Sequence, residues 1–198
     1  AWGFARVLRL EHPALGTQSL DMSRGARVAS SALLGPSTEA EAACSGSVRL
    51  AARLRACFMS SPSSRTLARG VYAITGGLGG LGLRAATLLV VGGATGVVLS
   101  SRSGRVGREG VATPLGSVVR LLASDVGDAA DALSLLSPTP LVGVLHAAGV
   151  LRDKMLISMT ADDVDGVFGP KALAASHVDS ALAPCPLEAM GLFSSVAS

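Results

Sequence analysis

Aromatic side chains are scarce in this 198-residue sequence: one Trp, one Tyr and four Phe, 3% of the chain. Proteins that grip single-stranded nucleic acid stack its bases on aromatic platforms, and this chain has almost none. Lysine is rarer still. Fifteen of the 17 cationic residues are Arg, leaving only Lys154 and Lys171. Residues 1–120 carry 14 basic and 5 acidic side chains, whereas residues 121–198 carry 3 and 9. A basic first half raises the question of nucleic acid, but its arginines are scattered singly and make no binding stripe. Cysteine is limited to Cys44, Cys57 and Cys185, with no C-x-x-C pair and no metal-ligand spacing to His12, His146 or His177. No metal site is expected. An odd cysteine count without a secretory signal points to a reducing compartment, the cytoplasm, with the thiols acting as small buried hydrophobes. No membrane span is expected either: the longest apolar stretch, Ala85 to Leu99, is broken by "GGATG" and reads as helix, turn, strand.

Glycine is what the chain has in quantity, 24 residues, five of them in "VYAITGGLGGLGL" at 71–83. The apolar run Val71–Ile74 reads as a buried strand, and "LRAATLLVV" from Leu83 reads as a helix. Glycines between them allow a tight turn, close backbone approach to a ligand and close helix–strand packing. Free N–H groups at the helix start favour an anion such as pyrophosphate. Gly77, Gly79 and Gly82 supply a G-x-G-x-x-G pattern in the context that a dinucleotide site requires. A plain glycine-rich turn is the competing reading.

The rest of the chain falls into two textures. Residues 1–70 hold "WGFARVLRLEHP", an amphipathic helix stopped before Pro13, then "TQSLDM" as a strand and "SVRLAARL" as a strand or short helix. The polar segment 59–70 marks a boundary. From 71 the pattern alternates: strand 71–75, helix 81–91, a strand ending at Ser100, a strand ending near Ser124, a short helix in "DAADALSLL" and a strand at 141–146. A long helix then runs from Ala161 towards Ala181 with Thr160 as its cap, followed by a strand in "LEAMGLFSS". Such alternation predicts an α/β fold with a doubly wound parallel sheet of Rossmann type. Between the second and third strands, residues 103–116 contain four Gly and one Pro, which predicts a loop in place of the linking helix. The sequence starts "AWGFARV" and ends "LFSSVAS" straight after a strand, so both ends are expected to lie within a longer polypeptide, with the sheet truncated at its C-terminal side.

Ligands of doubly wound sheets bind at the carboxyl ends of the strands. The first strand ends in the glycine turn. The second ends in "SSRSG", where Arg102 stands in place of the acid that NAD-binding folds use, which favours NADP, a solvated surface arginine being the competing reading. The third ends at Asp125, either an acceptor for an adenine amino group or an N-cap. The fourth ends in "HAAG", small residues that let a cofactor approach; His146 there is read as a satisfied structural histidine with no catalytic role. The fifth ends in Ser194 and Ser195, either a plain loop or two hydroxyls placed to hydrogen-bond a substrate carbonyl. Lys171 lies on the long helix and by itself reads as a solvated helix lysine; the kink expected at Pro170 beside it can aim it inward instead.

Taken in order, "YAITGGLGGLGL", "VVLSSRSG", "ASDVGD", "GVLHAAGVLRD", "GPKALAA" and "LFSSVAS" resemble the ketoreductase domains of modular polyketide synthases. These are short-chain dehydrogenase/reductases, and animal fatty-acid synthase carries a related domain. "WGFARVLRLEHP" resembles the start of the structural, cofactor-free subdomain that precedes the catalytic one, so the resemblance covers nearly the whole chain and implies domains at 1–70 and 71–198. It implies that Thr75, Gly76, Gly77, Gly79, Gly80 and Gly82 cradle the NADPH pyrophosphate and that Ser101 and Arg102 hold the 2′-phosphate. Asp125 and Val126 then flank the adenine, and Ala147, Ala148 and Gly149 line the cofactor further along. Ser195 corresponds to the catalytic serine and Lys171 to the catalytic lysine. The implied partners are other synthase domains and an acyl carrier protein whose phosphopantetheine bears the β-ketoacyl chain. "VLRD" sits where many such domains carry Leu-Asp-Asp, a stereochemical fingerprint; Asp153 matches its last residue and Arg152 departs from its middle. The family's catalytic tyrosine lies a dozen or so residues after the serine, with an asparagine beyond. The only tyrosine of this sequence is Tyr72, in the first strand, so these 198 residues alone are expected to be inactive. A non-catalytic, NADPH-binding scaffold and a stand-alone short-chain reductase remain as alternatives; cofactor affinity separates the first, and the preceding 70 residues count against the second.

Overall fold

A computed structural model of the chain describes residues 2–22, 38–45, 48–56, 69–105 and 117–194. The described residues divide into two compact units, those up to 56 with Met155–Ser158, and those from 69 to 154 with 159–194.

In the first unit, helix α1 (Trp2–Glu11) stops ahead of a 3-10 turn, Pro13–Leu15. Strand β1 (Ser19–Met22) runs parallel to β2 (Glu41–Ser45), which pairs antiparallel with β3 (Val48–Leu50). The sequence pattern predicts α1 and β1 but not β2. The α1 helix buries no residue fully; it is tied to β2 by charge. Arg6 donates to both carboxylate oxygens of Glu41, at 2.7 and 2.9 Å, and Arg9 donates to the same group. These guanidinium bonds, Arg6 foremost, hold the Glu41 carboxyl below its usual range. Glu11 accepts the Leu156 N–H at 2.9 Å on each oxygen, which brings the 3-10 turn Leu156–Ser158 into this unit.

The second unit is a five-stranded sheet in the order β6–β5–β4–β7–β8. Its strands are β4 (Val71–Thr75), β5 (Gly96–Ser101), β6 (Val119–Ala123), β7 (Leu141–His146) and β8 (Ala189–Leu192), and all adjacent pairs are parallel. Parallel sheets are covered on both faces, and alternate residues of one strand enter different cores. Tyr72 and Ile74 of β4 and Val97 and Leu99 of β5 pack with Leu83, Ala86 and Leu89 of helix α2 (Gly80–Val91). Ala73, Val98 and Val144 pack on the other face with α3 (Ala129–Leu136) and α5 (Ala174–Leu182). Asp128, not Asp125, caps α3, accepting from the N–H groups of Ala130 and Asp131 at 2.9 and 3.0 Å.

The long helix from Ala161 is present but not uniform. It begins as α4 (Ala161–Phe168) with a capping box in which Thr160 and Asp163 serve each other. Lys154 also donates to Asp163 at 2.7 Å, and together these bonds hold the Asp163 carboxyl far below its usual range. At Gly169–Leu173 the helix widens into a π turn before continuing as α5. Pro170 sits in that turn; it has no N–H to donate, and its ring would strike the preceding carbonyls of a regular α-helix. Of the expected 103–116 loop, residues 103–105 are irregular, and the rest lies outside the described residues, as do 59–68 of the boundary segment. Among the described residues no helix is long and apolar enough to cross a membrane.

Candidate cofactor and substrate site

Backbone bonds continue past the strands and lock their carboxyl ends together. The N–H groups of Gly77, Ala147, Ser124 and Phe193 donate to the carbonyls of Ser100, Thr75, Ser101 and His146, at 2.9, 2.9, 3.0 and 3.0 Å. Above this row lies a cleft of 320 Å³. Nine of the residues singled out in the sequence line it: Gly76, Gly79, Ser101, Arg102, Asp125, Val126, Ala147, Ala148 and Gly149. They are drawn from four separate strand ends.

The glycine turn divides its labour. Gly76 has φ +66°, and a Cβ there would come within 2.5 Å of the Ala148 backbone, so a side chain would push apart the ends of β4 and β7. A Cβ on Gly82 would meet the Gly77 backbone at 2.5 Å, because α2 rests directly on the turn. Gly77 is equally confined, facing the Ile74 carbonyl at 2.7 Å. Gly79 and Gly80 are different: the nearest atom to a Cβ on Gly79 is at 3.4 Å, and nothing lies within 4 Å for Gly80. These two leave open space at the N-terminus of α2, where the first N–H groups have no partner inside the helix. That is the space and the charge an anion needs.

Thr75 is not on the cleft wall. It is fully buried, and its hydroxyl meets His146 Nδ1 at 2.6 Å. The other ring nitrogen of His146 lies 3.2 Å from the Lys171 carbonyl. The histidine is 4% exposed, and burial pushes it below its ordinary value, against the raising effect of the backbone contacts at Lys171 and Pro170. It is a satisfied structural histidine. Lys171 itself is exposed on the π turn, and its Cε lies 3.0 Å from where a Cβ on Gly149 would stand. Pro170 lines the cleft beside it. Asp125 closes a turn by accepting the Gly127 N–H at 3.0 Å while remaining on the cleft wall. Ser194 is exposed after β8, Arg152 and Asp153 are exposed after β7, and Ser195 lies outside the described residues.

Three polar cleft residues had no signal strong enough to be read from the sequence. Ser103 and Arg105 join Arg102 on the wall because the turn after β5 closes, with Gly104 N–H donating to Ser101 Oγ at 3.1 Å. Ser124 also lines the cleft, and its buried hydroxyl has no hydrogen-bond partner among the described residues. An orphaned hydroxyl, two guanidinium groups and an open helix N-terminus make a cradle suited to a phosphorylated ligand.

Residues 70–198 match the model of the KR domain family. The chain belongs to that family. Two relatives support the assignment over nearly its full length. The chain is 36% identical over 213 residues to one of the phenolphthiocerol/phthiocerol polyketide synthase polypeptides of Mycobacterium tuberculosis, covering 99% of this chain and 12% of that protein. It is 32% identical over 223 residues to 5-methyl-1-naphthoate synthase of Streptomyces sahachiroi, covering 98% and 12%. Among solved structures, an A1-type ketoreductase superposes with a TM-score of 0.87 at 33% identity, over 99% of this chain and 45% of that one. An A-type ketoreductase from a modular polyketide synthase gives 0.86 at 33%, over 98% and 44%. The chain thus spans about an eighth of each of these two synthases and under half of each of these two ketoreductase chains. KR domains of this type bind a nicotinamide cofactor.

Proposed function

We propose that this chain is the cofactor-binding part of an NADPH-dependent β-ketoacyl reductase within a polyketide synthase. In that reading it serves reduction of a β-keto group tethered to an acyl carrier protein. The observation that carries the proposal is the convergence of the glycine turn, Arg102, Asp125 and the Ala147–Gly149 segment on one cleft at the strand ends. When bound, the nicotinamide supplies a hydride to the ketone carbon. The residues of this chain hold and orient. The open N-terminus of α2 at Gly79 and Gly80 takes the pyrophosphate. Arg102, with Arg105 and Ser103 beside it, takes the 2′-phosphate, which NADH lacks. Asp125 and Val126 flank the adenine, and Ala147 to Gly149 leave room for the nicotinamide end. Lys171, laid over Gly149, stands where a positive charge assists a proton relay, and Ser195 is assigned to polarise the substrate carbonyl.

Titration with NADPH and NADH tests this reading. Wild-type chain is expected to prefer NADPH, and Arg102→Ala to lose most of that preference, about 1.5–3 kcal/mol for a charge-assisted contact. A wild type without preference, or a mutant that keeps it, sinks the assignment.

A further inference from the structure

His146 makes two hydrogen bonds that serve different elements. The Lys171 carbonyl can only accept, so Nε2 of His146 carries the proton and donates to it across 3.2 Å. A neutral ring then leaves Nδ1 as an acceptor for the Thr75 hydroxyl at 2.6 Å. The end of β4 thereby fixes the tautomer of a residue at the end of β7, and that residue grips the turn carrying Lys171. The grip matters because the turn is a π turn. Widening a helix shifts its ladder, and a carbonyl within it can take a second donor from outside the helix. Here the Lys171 carbonyl takes the Ala174 N–H and His146 Nε2–H. On the exposed side of the same residue, the Lys171 stem lies against Gly149, with Cε 3.0 Å from the position of an added Cβ. Backbone held from below and side chain laid over a bare glycine together define where the ammonium stands.

We infer that His146 is a positioning residue for Lys171, acting through its Nε2–H bond to the Lys171 carbonyl and locked in tautomer by Thr75. Its contribution to reduction rests on the functional reading of Lys171 given above. His146 touches neither cofactor nor substrate; it fixes the π turn so that the lysine crosses Gly149 at the cleft. Thr75, buried beneath the glycine turn, belongs to this buried relay and not to the pyrophosphate cradle.

The two lysines of the sequence make the test direct. Reductive methylation with 13C-formaldehyde labels Lys154, Lys171 and the amino terminus, and Lys154, held by Asp163 at 2.7 Å, is the internal control for folding. In the ligand-free wild type, Lys171 methyl groups are expected to show nuclear Overhauser contacts to the Gly149 α protons. His146→Asn keeps a partner for Thr75 but falls short of the Lys171 carbonyl; those contacts should disappear while the Lys154 signal stays. His146→Gln carries an amide N–H at the reach of Nε2 and should restore them. An Asn variant that keeps the Lys171–Gly149 contacts overturns the inference, and so does a folded Gln variant that lacks them. If the Asn variant fails to fold, 15N shifts of the wild-type imidazole decide: a ring protonated on Nδ1, or charged at neutral pH, overturns it, and the neutral Nε2–H form upholds it. Adding NADPH separates the two readings. A wild type whose Lys171 signal ignores NADPH counts against the reductase proposal, whereas the ligand-free contacts report on His146 alone.

Discussion

His146 titrates under conditions set by its burial, and the sign of the effect follows. Its folded value lies below the ordinary imidazole value because desolvation penalises the charged ring. As pH falls through about 6.5, the unfolded chain takes up a proton that the folded chain refuses. Stability therefore declines on acidification from neutral pH, by at most about 1.4 kcal/mol per pH unit, until the folded ring also protonates. Urea unfolding of wild type and His146→Gln at several pH values is the check; the difference between them should shrink or reverse as the solution becomes acid. An identical pH slope in both would assign the titration to other groups. Two glycines give a second contrast at this scale. Gly82→Ala forces a methyl into the Gly77 backbone at 2.5 Å, and overpacking of this kind costs about 1–3 kcal/mol. A Cβ at Gly79 has room in the ligand-free fold, 3.4 Å from its nearest neighbour, whereas the branched side chain of Gly79→Val fills the space given to the pyrophosphate. The variant should unfold close to wild type and lose cofactor binding by calorimetry; retained affinity would make the turn merely structural.

Among the elements, those whose demands are local were legible in the sequence. The β4–glycine–α2 unit announces itself because backbone approach at Gly76 and Gly82 requires glycine whatever the distant packing. The alternation of strands and helices from 71 to 192 was legible for the same reason, and with it the parallel sheet. Strand β2 was not. Its residues, "EAACS", have little intrinsic strand preference, and it is a strand because β1 and β3 pair with it on either side. The role of Thr75 was hidden by distance, since its partner His146 lies 71 residues away. Arg105 was hidden because a tight turn folds it back beside Arg102. The Pro170 kink was legible as a bend, while its form, a π turn gripped by a histidine, depends on tertiary contact.

At the scale of the molecule, the units carry separate reporters. Trp2 lies in the first and Tyr72 in the second, and each is the single residue of its kind. A ligand bound only to the folded state adds about 2.7 kcal/mol of stability at a hundredfold excess over its dissociation constant. Saturating NADPH should therefore raise the unfolding midpoint seen by Tyr72 fluorescence; an unmoved midpoint means no specific binding. Turnover is a different matter. Burial, and the charge of Glu188, push the Tyr72 phenol up, and at 3% exposure it cannot reach the cleft. A proton donor typically contributes about 10²–10⁴-fold. The 198 residues should thus bind NADPH without oxidising it in the presence of a β-keto thioester, and robust turnover would require another donor among them.

The strand order has a consequence during synthesis. β4, the middle of the sheet, is made first of the five; β5 covers one flank from Gly96, but the other flank waits for Leu141. At 5–20 residues per second the ribosome needs roughly 4–14 s to make the 70 residues from Val71 to Leu141. Through that interval an apolar strand presents a bare row of N–H and C=O groups, a template for pairing with another nascent chain. Chains released before β7 emerges should aggregate, whereas chains released after α5 should stay in solution. The hazard of this fold is a matter of timing.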